Sequence, residues 1–145
     1  MSPTTSGAAT ATPNGGASPA PMEVGLGALA VAWQPRGDTF VSSGQDSALV
    51  AWDGIDGTEL HRVRPAMAWT ECLAYSPDGL YVAASHGSTL RATIWRVSDG
   101  TYVGEVLLPD NVVTQVRWRP GFTAPNYQLA LGLDSGAIRL YDIQI

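Results

Sequence analysis

The stretch AYSPDGLYVAA, residues 74–84, carries the clearest structural signal in this chain. Apolar residues run up to the tetrapeptide SPDG at 76–79 and resume directly after it. Proline, aspartate and glycine favour a chain reversal, and short apolar runs on both sides of such a turn are typical of β-strands. The stretch therefore predicts a strand, a tight turn and a second strand.

Two further segments have the same layout, so this hairpin is one copy of a repeat. An aromatic residue precedes the turn at Trp33, Tyr75 and Trp118, in steps of 42 and 43 residues. The turn proline recurs at positions 35, 77 and 120 with the same two steps. Another aromatic residue ends each unit, at positions 52, 95 and 141. Three landmarks in register indicate a structural repeat and not a single hairpin.

The repeat resembles the WD40 family, whose units of about 40–45 residues form the four-stranded blades of a β-propeller. The resemblance covers residues 28–145 and is carried by QPRG (34–37), SPDG and RPGF (119–122), and by the unit ends LVAWD, ATIWR and IRLYD. It implies an all-β, partial β-propeller of three blades, of which the last lacks its outer strand. The implied strands are 29–34, 39–44, 48–53 and 58–64, then 71–76, 80–85, 91–97 and 101–108, and finally 113–119, 127–133 and 137–143.

The chain departs from the family pattern at several polar positions. The Trp-Asp pair is intact only at Trp52-Asp53, and the Gly-His pair before the inner strand is missing from all three units. The family's hydrogen-bond network of His, Asp, Ser and Trp is therefore not expected to form in full. Apolar packing between neighbouring blades should hold the fold together instead. By register, four tryptophans are expected in the core: 33, 52, 95 and 118.

Composition divides the chain into two parts. Residues 1–27 are rich in Ser, Thr, Ala, Gly and Pro, which predicts a disordered tail, and they lack the features of a secretory signal. The repeats are expected at 28–68, 69–111 and 112–145. No apolar run reaches the ~18 residues of a transmembrane helix. We therefore expect a cytoplasmic protein that does not bind a membrane.

Several chemical functions are disfavoured by the sequence. Charged residues make up 14% of the chain and the net charge is −5, which argues against nucleic-acid binding. The single cysteine, Cys72, excludes a multi-cysteine zinc site. GLGALA (25–30) lacks the strand and helix that a dinucleotide fingerprint requires, and DGIDGTE (53–59) is interpreted as a solvated turn and not as a calcium loop. We expect no cofactor and no metal.

Catalysis is also not expected. His61 and His86 are the candidate general bases, and no G-x-S-x-G elbow accompanies them. An alternative is a fragment of a propeller enzyme, a hydrolase or a quinone-dependent dehydrogenase. Such an enzyme needs several converging ligands at the propeller axis, whereas the inner strands offer Glu71, Gln115 and Arg117. A truncated product without independent function is a further alternative.

The partner-binding residues follow from the resemblance. In the family, the links between blades and the turns before the third strands share one rim, which commonly binds partners. Trp69 lies in the first link, outside the repeat landmarks, so it is either an interface anchor or a cap on the blade interface. The resemblance implies a non-catalytic protein–protein interaction scaffold whose candidate contacts are Trp69, Met67, Gln45, His86, Asp110 and Asn111.

Three blades do not complete a ring, because propellers close with about 4–8 blades. Two apolar blade faces would then stay open. The sequence therefore predicts either a fragment of a larger propeller or a chain completed by copies of itself or by another propeller chain.

Overall fold

A computed structural model describes residues 27–64, 69–86 and 90–145, which form three antiparallel β-sheets. We call these sheets blades 1, 2 and 3. Within the described ranges, no helix is long and apolar enough to cross a membrane. The strands are β1 (Ala28–Trp33), β2 (Thr39–Gly44), β3 (Leu49–Asp53) and β4 (Glu59–Val63) in blade 1; β5 (Thr70–Tyr75), β6 (Tyr81–His86), β7 (Arg91–Arg96) and β8 (Tyr102–Leu107) in blade 2; and β9 (Val113–Trp118), β10 (Asn126–Leu133) and β11 (Ile138–Gln144) in blade 3.

The all-β prediction is confirmed, and every strand starts and ends within one residue of its predicted position. Blades 1 and 2 have four strands each, whereas blade 3 has three, as expected for a last blade without its outer strand. The predicted tail, 1–27, lies outside the described residues except for Gly27. The repeat boundaries 28–68, 69–111 and 112–145 stay predictions.

The SPDG turn joins β5 to β6 in the way that its residues favour. Gly79 has a φ of +77°, a left-handed conformation that glycine adopts without strain, and its N–H donates to the carbonyl of Ser76 at 2.9 Å. The Asp78 carboxylate accepts hydrogen bonds from the Ser76 hydroxyl at 2.7 Å and from the Leu80 N–H at 3.2 Å. The sequence thus closes this hairpin through local hydrogen bonds.

Apolar side chains between the blades form the core. One cluster, centred on Val41, Leu49 and Val82, lies between blades 1 and 2. A larger cluster lies between blades 2 and 3 and includes Ile94 and Leu129. All six residues of β6 are buried, which confirms that the middle blade is covered on both faces.

The four repeat tryptophans do not share one environment. Trp52 and Trp118 are buried and Trp95 is partly buried against the core, as predicted. The prediction for Trp33 was wrong, because this side chain is 60% exposed. It lies on the face of blade 1 that points away from blade 2, where it contacts Phe40 at a ring distance of 4.9 Å. Repeat register assigns a side chain to a face, but a buried environment also requires a blade beyond that face.

Two polar contacts fix blade 3 against blade 2. The indole N–H of Trp118 donates to the Ala74 carbonyl at 2.9 Å, and the Tyr127 hydroxyl donates to the Asp78 carboxylate at 2.6 Å. Burial, followed by the hydrogen bond to Asp78, raises the pKa of Tyr127. Burial raises the pKa of Asp78, but hydrogen bonds from Tyr127 and Ser76 outweigh it and keep that pKa below its ordinary value. The carboxylate of the SPDG turn therefore stays charged and ties two blades together.

Candidate partner-binding rim

One edge of the three blades carries the links between blades and the turns before the third strands, and we call this edge the rim. Three backbone hydrogen bonds outline it: Gln45 N–H to the Gly27 carbonyl at 3.0 Å, Leu108 N–H to the Leu90 carbonyl at 2.7 Å, and Asp134 N–H to the Val112 carbonyl at 3.0 Å. The Ser43 hydroxyl donates to the Thr70 carbonyl at 2.9 Å, which joins blade 1 to blade 2 near this edge. The turns that reverse the chain after the inner strands lie at the opposite edge.

Trp69 is the largest apolar side chain on the described part of the rim. It directly precedes β5, and 51% of its surface is exposed. Its neighbour Thr70 is completely buried, so the chain turns from solvent into the core at this point. Half of the indole is therefore available to another molecule.

The turn between β2 and β3 presents Gln45, which is half-buried. Asp46 shapes the turn by accepting a hydrogen bond from the Ala48 N–H at 3.1 Å, and Ser47 adopts a φ of 64°. Arg64, from the link after β4, donates to the Asp46 carbonyl at 2.7 Å. These contacts hold the turn and the link at the same edge.

Asp110 and Asn111 lie in the link between β8 and β9. The Asn111 amide donates to the Asp110 carboxylate at 2.7 Å, and Arg139 lies 3.9 Å from the same carboxylate. Asp134 accepts a hydrogen bond from the Val112 N–H at 3.1 Å, which connects this link to the turn before β11. Asp110 is exposed and Asn111 half-buried, so both reach the surface of the rim.

The placement of His86 on the rim surface needs correction. It is the last residue of β6 and its side chain is completely buried. Its Nδ1 lies 3.0 Å from the Thr70 hydroxyl, and its Nε2 lies 2.7 Å from the Thr93 hydroxyl. The indole N–H of Trp95 donates to the same Thr93 hydroxyl at 2.8 Å. His86 therefore links three strands of blade 2 beneath the rim and cannot be a surface contact.

His86, Thr70, Thr93 and Trp95 form a buried hydrogen-bonded group, in line with the prediction that the family's network would not form in full. Burial, followed by the charge of Arg91, lowers the pKa of His86 to about 4, and the charge of Glu105 acts in the opposite direction. The ring is therefore neutral at ordinary pH and connects neighbouring strands through hydrogen bonds. The two threonines lie on different strands from His86, so the group is formed by contacts between strands and not by a local motif.

Met67 lies outside the described residues. The structure therefore brings four of the six candidate residues to the surface of the rim, namely Trp69, Gln45, Asp110 and Asn111, and places His86 below it.

The residues considered for catalysis lie on several strands, and two of them, Gln115 and Arg117, contact the Cys72 sulfur. His61 lies on β4, and Arg117 on β9 donates to its neighbour's carbonyl (Val116) at 2.7 Å and to the Cys72 sulfur at 3.4 Å. Gln115 accepts from the same thiol at 3.4 Å. Across the described ranges, no group of three or more His, Cys, Asp and Glu side chains could hold a metal ion.

The acidic turn DGIDGTE uses its carboxylates locally. Asp53 accepts from the Ile55 N–H at 2.8 Å, and Asp56 accepts from the N–H and the hydroxyl of Thr58 at 2.9 and 2.8 Å. The hydrogen bonds from Thr58 lower the pKa of Asp56. The interpretation as a solvated turn fits these contacts.

Sequence comparison finds relatives for part of the chain. It is 33% identical over 51 residues to the guanine nucleotide-binding protein subunit beta of Arabidopsis thaliana, a match that covers 35% of this chain and 14% of that protein. It is also 33% identical over 54 residues to the subunit of the same name from Lymnaea stagnalis, covering 37% and 16%. The chain thus matches about a seventh of the length of these relatives. No protein-family model matches it.

The fold is all-β, and its three sheets have the arrangement of blades in a partial propeller. Three antiparallel sheets stacked through their faces, without a closed ring among the described residues, agree with the repeat pattern and with the similarity to G-protein β subunits.

Proposed function

We propose that this protein is a non-catalytic interaction scaffold that binds a protein partner through the rim around Trp69. The exposed half of the Trp69 indole carries the proposal. The similarity to G-protein β subunits supports it, although the match covers only part of those proteins.

Trp69 has the properties of an interface anchor. Tryptophan is enriched among residues that dominate binding energy, and such anchors are surrounded by groups that exclude water. Gln45, Asp110 and Asn111 provide polar groups of this kind on the same rim. The buried contact between Thr70 and His86 fixes the backbone beside Trp69, so this segment should lose little conformational entropy on binding.

The experiment compares two variants that remove exposed apolar side chains from opposite edges. Proteins captured by the immobilised full chain are identified and purified, and their affinities for the Trp69→Ala and Ile55→Ala variants are measured by calorimetry. Ile55 is exposed in the turn after β3, away from the rim, and serves as the matched control. Trp69→Ala should weaken binding about 30-fold, which corresponds to the loss of about 2 kcal/mol of binding free energy that is typical of a hot-spot residue. Ile55→Ala should leave the affinity unchanged.

Equal affinity of Trp69→Ala and the unmodified chain, with both folded by circular dichroism, would contradict the proposal. A partner that is lost with Ile55→Ala but retained with Trp69→Ala would place the interface on the opposite edge.

A second role, assembly with a further propeller segment or with copies of itself, is favoured by the two outer faces. Blade 3 exposes Ile138 (74%) and Leu140 (64%), although their repeat equivalents in blade 2, Ala92 and Ile94, are buried against blade 3. Trp33 is similarly exposed on the outer face of blade 1. These faces have the composition of blade interfaces without a neighbour among the described residues.

Light scattering of the full chain tests this second role. If copies assemble through these faces, Leu140→Asp should shift the chain to the monomer. Leu107→Asp, at an equally exposed position of 63% on β8, should not. A folded monomer for the unmodified chain would rule out self-assembly.

A further inference from the structure

A cavity lies where blades 1 and 2 meet, at the edge opposite the rim. Its volume is about 320 Å³, and its walls come from β4 and from the turns that follow β1, β5 and β7. A narrower apolar space of about 30 Å³ adjoins it and shares part of its lining. The shared residues are Ala51, His61, Arg96 and Val97. Small-molecule sites have volumes from about 300 Å³ upward, so the cavity has room for a small ligand.

Repeat register shows which residue of blade 3 corresponds to the cavity wall. Val82 and Leu129 are equivalent, because each pairs with the unit-ending aromatic residue of its own blade. Leu80 and Tyr127 lie two residues earlier and are therefore equivalent as well. Side chains two residues apart on a strand share a face, so both are directed at the preceding blade.

Tyr127 fills the space where blades 2 and 3 meet. Its ring is buried and packs edge-on against Tyr81 at 5.7 Å and against Trp118 at 5.3 Å. Between blades 1 and 2, Leu80 is 51% exposed, and Thr39 has the position of Tyr81, since both pair with the residue after the unit-ending tryptophan. A leucine and a threonine thus stand where the other pair of blades has two tyrosines, and the cavity lies between these smaller side chains. Its place in the fold is that of an aromatic ring.

Direct contacts between the blades hold the cavity open on both sides. The Gln34 amide donates to the Gly79 carbonyl at 3.2 Å and accepts from the Thr39 hydroxyl at 2.9 Å. On the other side, the turn after β7 packs so closely on β4 that a Cβ added to Gly100 would lie 2.9 Å from Val63 Cγ1. A ligand would therefore enter a site that is already formed, which reduces the entropic cost of binding.

The charges around the cavity favour an anionic group in the ligand. Among the described residues of the lining, Arg96 is charged, His61 is titratable, and none is an aspartate or a glutamate. One nitrogen of Arg96 lies 3.1 Å from Asp99, in an exposed pair, and a guanidinium has five N–H donors. Asp78, in the bordering turn, directs its carboxylate to Tyr127 on the other side of blade 2. A carboxylate in the ligand can therefore bind Arg96 without an opposing acid in the lining.

We propose that this cavity binds a small aromatic carboxylate, with its ring beside Leu80 and its carboxylate on Arg96. The ring takes the place that Tyr127 has between blades 2 and 3, and the charge provides selectivity. The site lies at the edge opposite the rim, so the proposal does not depend on Trp69.

The probe is phenylacetate, added to the full chain and followed by two-dimensional nuclear magnetic resonance spectra. A Kd of about 1 mM is expected for a ligand of this size. The amide signals of His61, Gly79 and Val97, which line the cavity, should shift, and those of Gln45 and Val112 at the rim should not. Absence of binding up to about 10 mM, or shifts confined to other parts of the chain, would overturn the proposal.

Two related compounds separate the contributions of the ring and the charge. Phenylacetamide keeps the ring without the charge and should bind about tenfold more weakly, because it lacks the charge-assisted hydrogen bond to Arg96. Acetate keeps the charge without the ring and should not bind at about 10 mM. Equal affinities of phenylacetate and phenylacetamide would refute the role of Arg96, and equal affinities of phenylacetate and acetate would refute the aromatic site.

The substitution Leu80→Tyr tests the equivalence with Tyr127. The new ring should occupy the cavity and weaken phenylacetate binding at least about tenfold, and the fold should persist because the position is half exposed. Leu107→Tyr, at an exposed position on β8, is the control and should bind as the unmodified chain does. Unchanged affinity of Leu80→Tyr, with the fold verified by circular dichroism, would contradict the proposal.

A pair of arginine variants tests the anionic contact. Arg96→Gln should weaken phenylacetate binding about tenfold and leave phenylacetamide binding unchanged. Arg91 lies at the other end of β7, is similarly exposed and has a similar ion pair, with Glu105 at 3.2 Å, so Arg91→Gln should leave both affinities unchanged. Equal phenylacetate affinities of the two variants would refute the contact with Arg96. Trp69→Ala should also bind phenylacetate normally, so failure of this proposal and failure of the rim proposal can be told apart.

Discussion

Replacement of His86 by glutamine should change the pH dependence of stability. The fall of its pKa from 6.5 to about 4 means that the folded chain resists protonation of this ring. This corresponds to about 3 kcal/mol, since a tenfold change in proton affinity is worth about 1.4 kcal/mol. Below pH 6.5 the histidine is protonated in the unfolded chain but not yet in the folded chain. Stability should therefore fall as the pH decreases from 6.5 toward 4, and the full contribution should be present above pH 6.5.

The substitution His86→Gln removes this titration and keeps a polar side chain between Thr70 and Thr93. At pH 7.5 the variant should be less stable by about 1–3 kcal/mol, because the buried hydroxyls lose well-placed partners. At pH 4.5 the difference in unfolding free energy between the two proteins should be smaller by most of the linkage energy. Only the unmodified chain loses stability at this pH by keeping the His86 ring unprotonated in the folded state. Arg91 and Glu105 are the charged groups that act on the ring and remain in both proteins.

Urea unfolding followed by tryptophan fluorescence at pH 7.5, 6.5, 5.5 and 4.5 measures the free energy of unfolding in each case. His61→Gln, on the partly exposed strand β4, is the control and should retain the pH dependence of the unmodified chain. If His86→Gln and the unmodified chain lose stability in parallel from pH 7.5 to 4.5, the His86 ring is not kept neutral by burial in the folded chain.

Three further substitutions test the packing. Tyr127→Phe removes the 2.6 Å hydrogen bond to Asp78 and should lower the free energy of unfolding by about 1–2 kcal/mol in urea titrations, so an unchanged midpoint would argue against this tie between blades. Gly100→Ala should destabilise by at least about 1 kcal/mol, because φ is +71° and the new Cβ would lie 2.9 Å from Val63 Cγ1. The Cβ added by Gly104→Ala would meet no atom within 4 Å, so this control should be nearly neutral in the same urea titrations.

The strands could be predicted from the sequence because their signals are local. Alternating apolar residues, a turn proline and a glycine such as Gly79 act within one hairpin, and the repeat confirmed each assignment by the other two copies. Trp33 shows the limit of that approach, since a neighbouring blade buries its two equivalents, Tyr75 and Trp118, and none of the described residues covers Trp33 in the same way.

The candidate site was less predictable because it depends on contacts between strands. The predicted strand ends at residue 85, which leaves His86 in the following turn, whereas β6 includes His86 as its last residue. Because side chains alternate between the two faces of a strand, one position decides whether a side chain faces the core. Its partners Thr70 and Thr93 lie on two other strands, and neither belongs to the family motif. Trp69 could be recognised because it falls outside the repeat register, whereas its exposure required coordinates.

Hydrogen exchange of the full chain, with and without a purified partner, shows whether a protein binds at the rim. We expect slower exchange at Thr70, Ala48 and Val112, all of which lie at or directly below the rim. The turns at 35–38 and 77–80, at the opposite edge, should exchange at unchanged rates. Protection of those turns with unchanged exchange at the rim would show that the partner binds at the opposite edge.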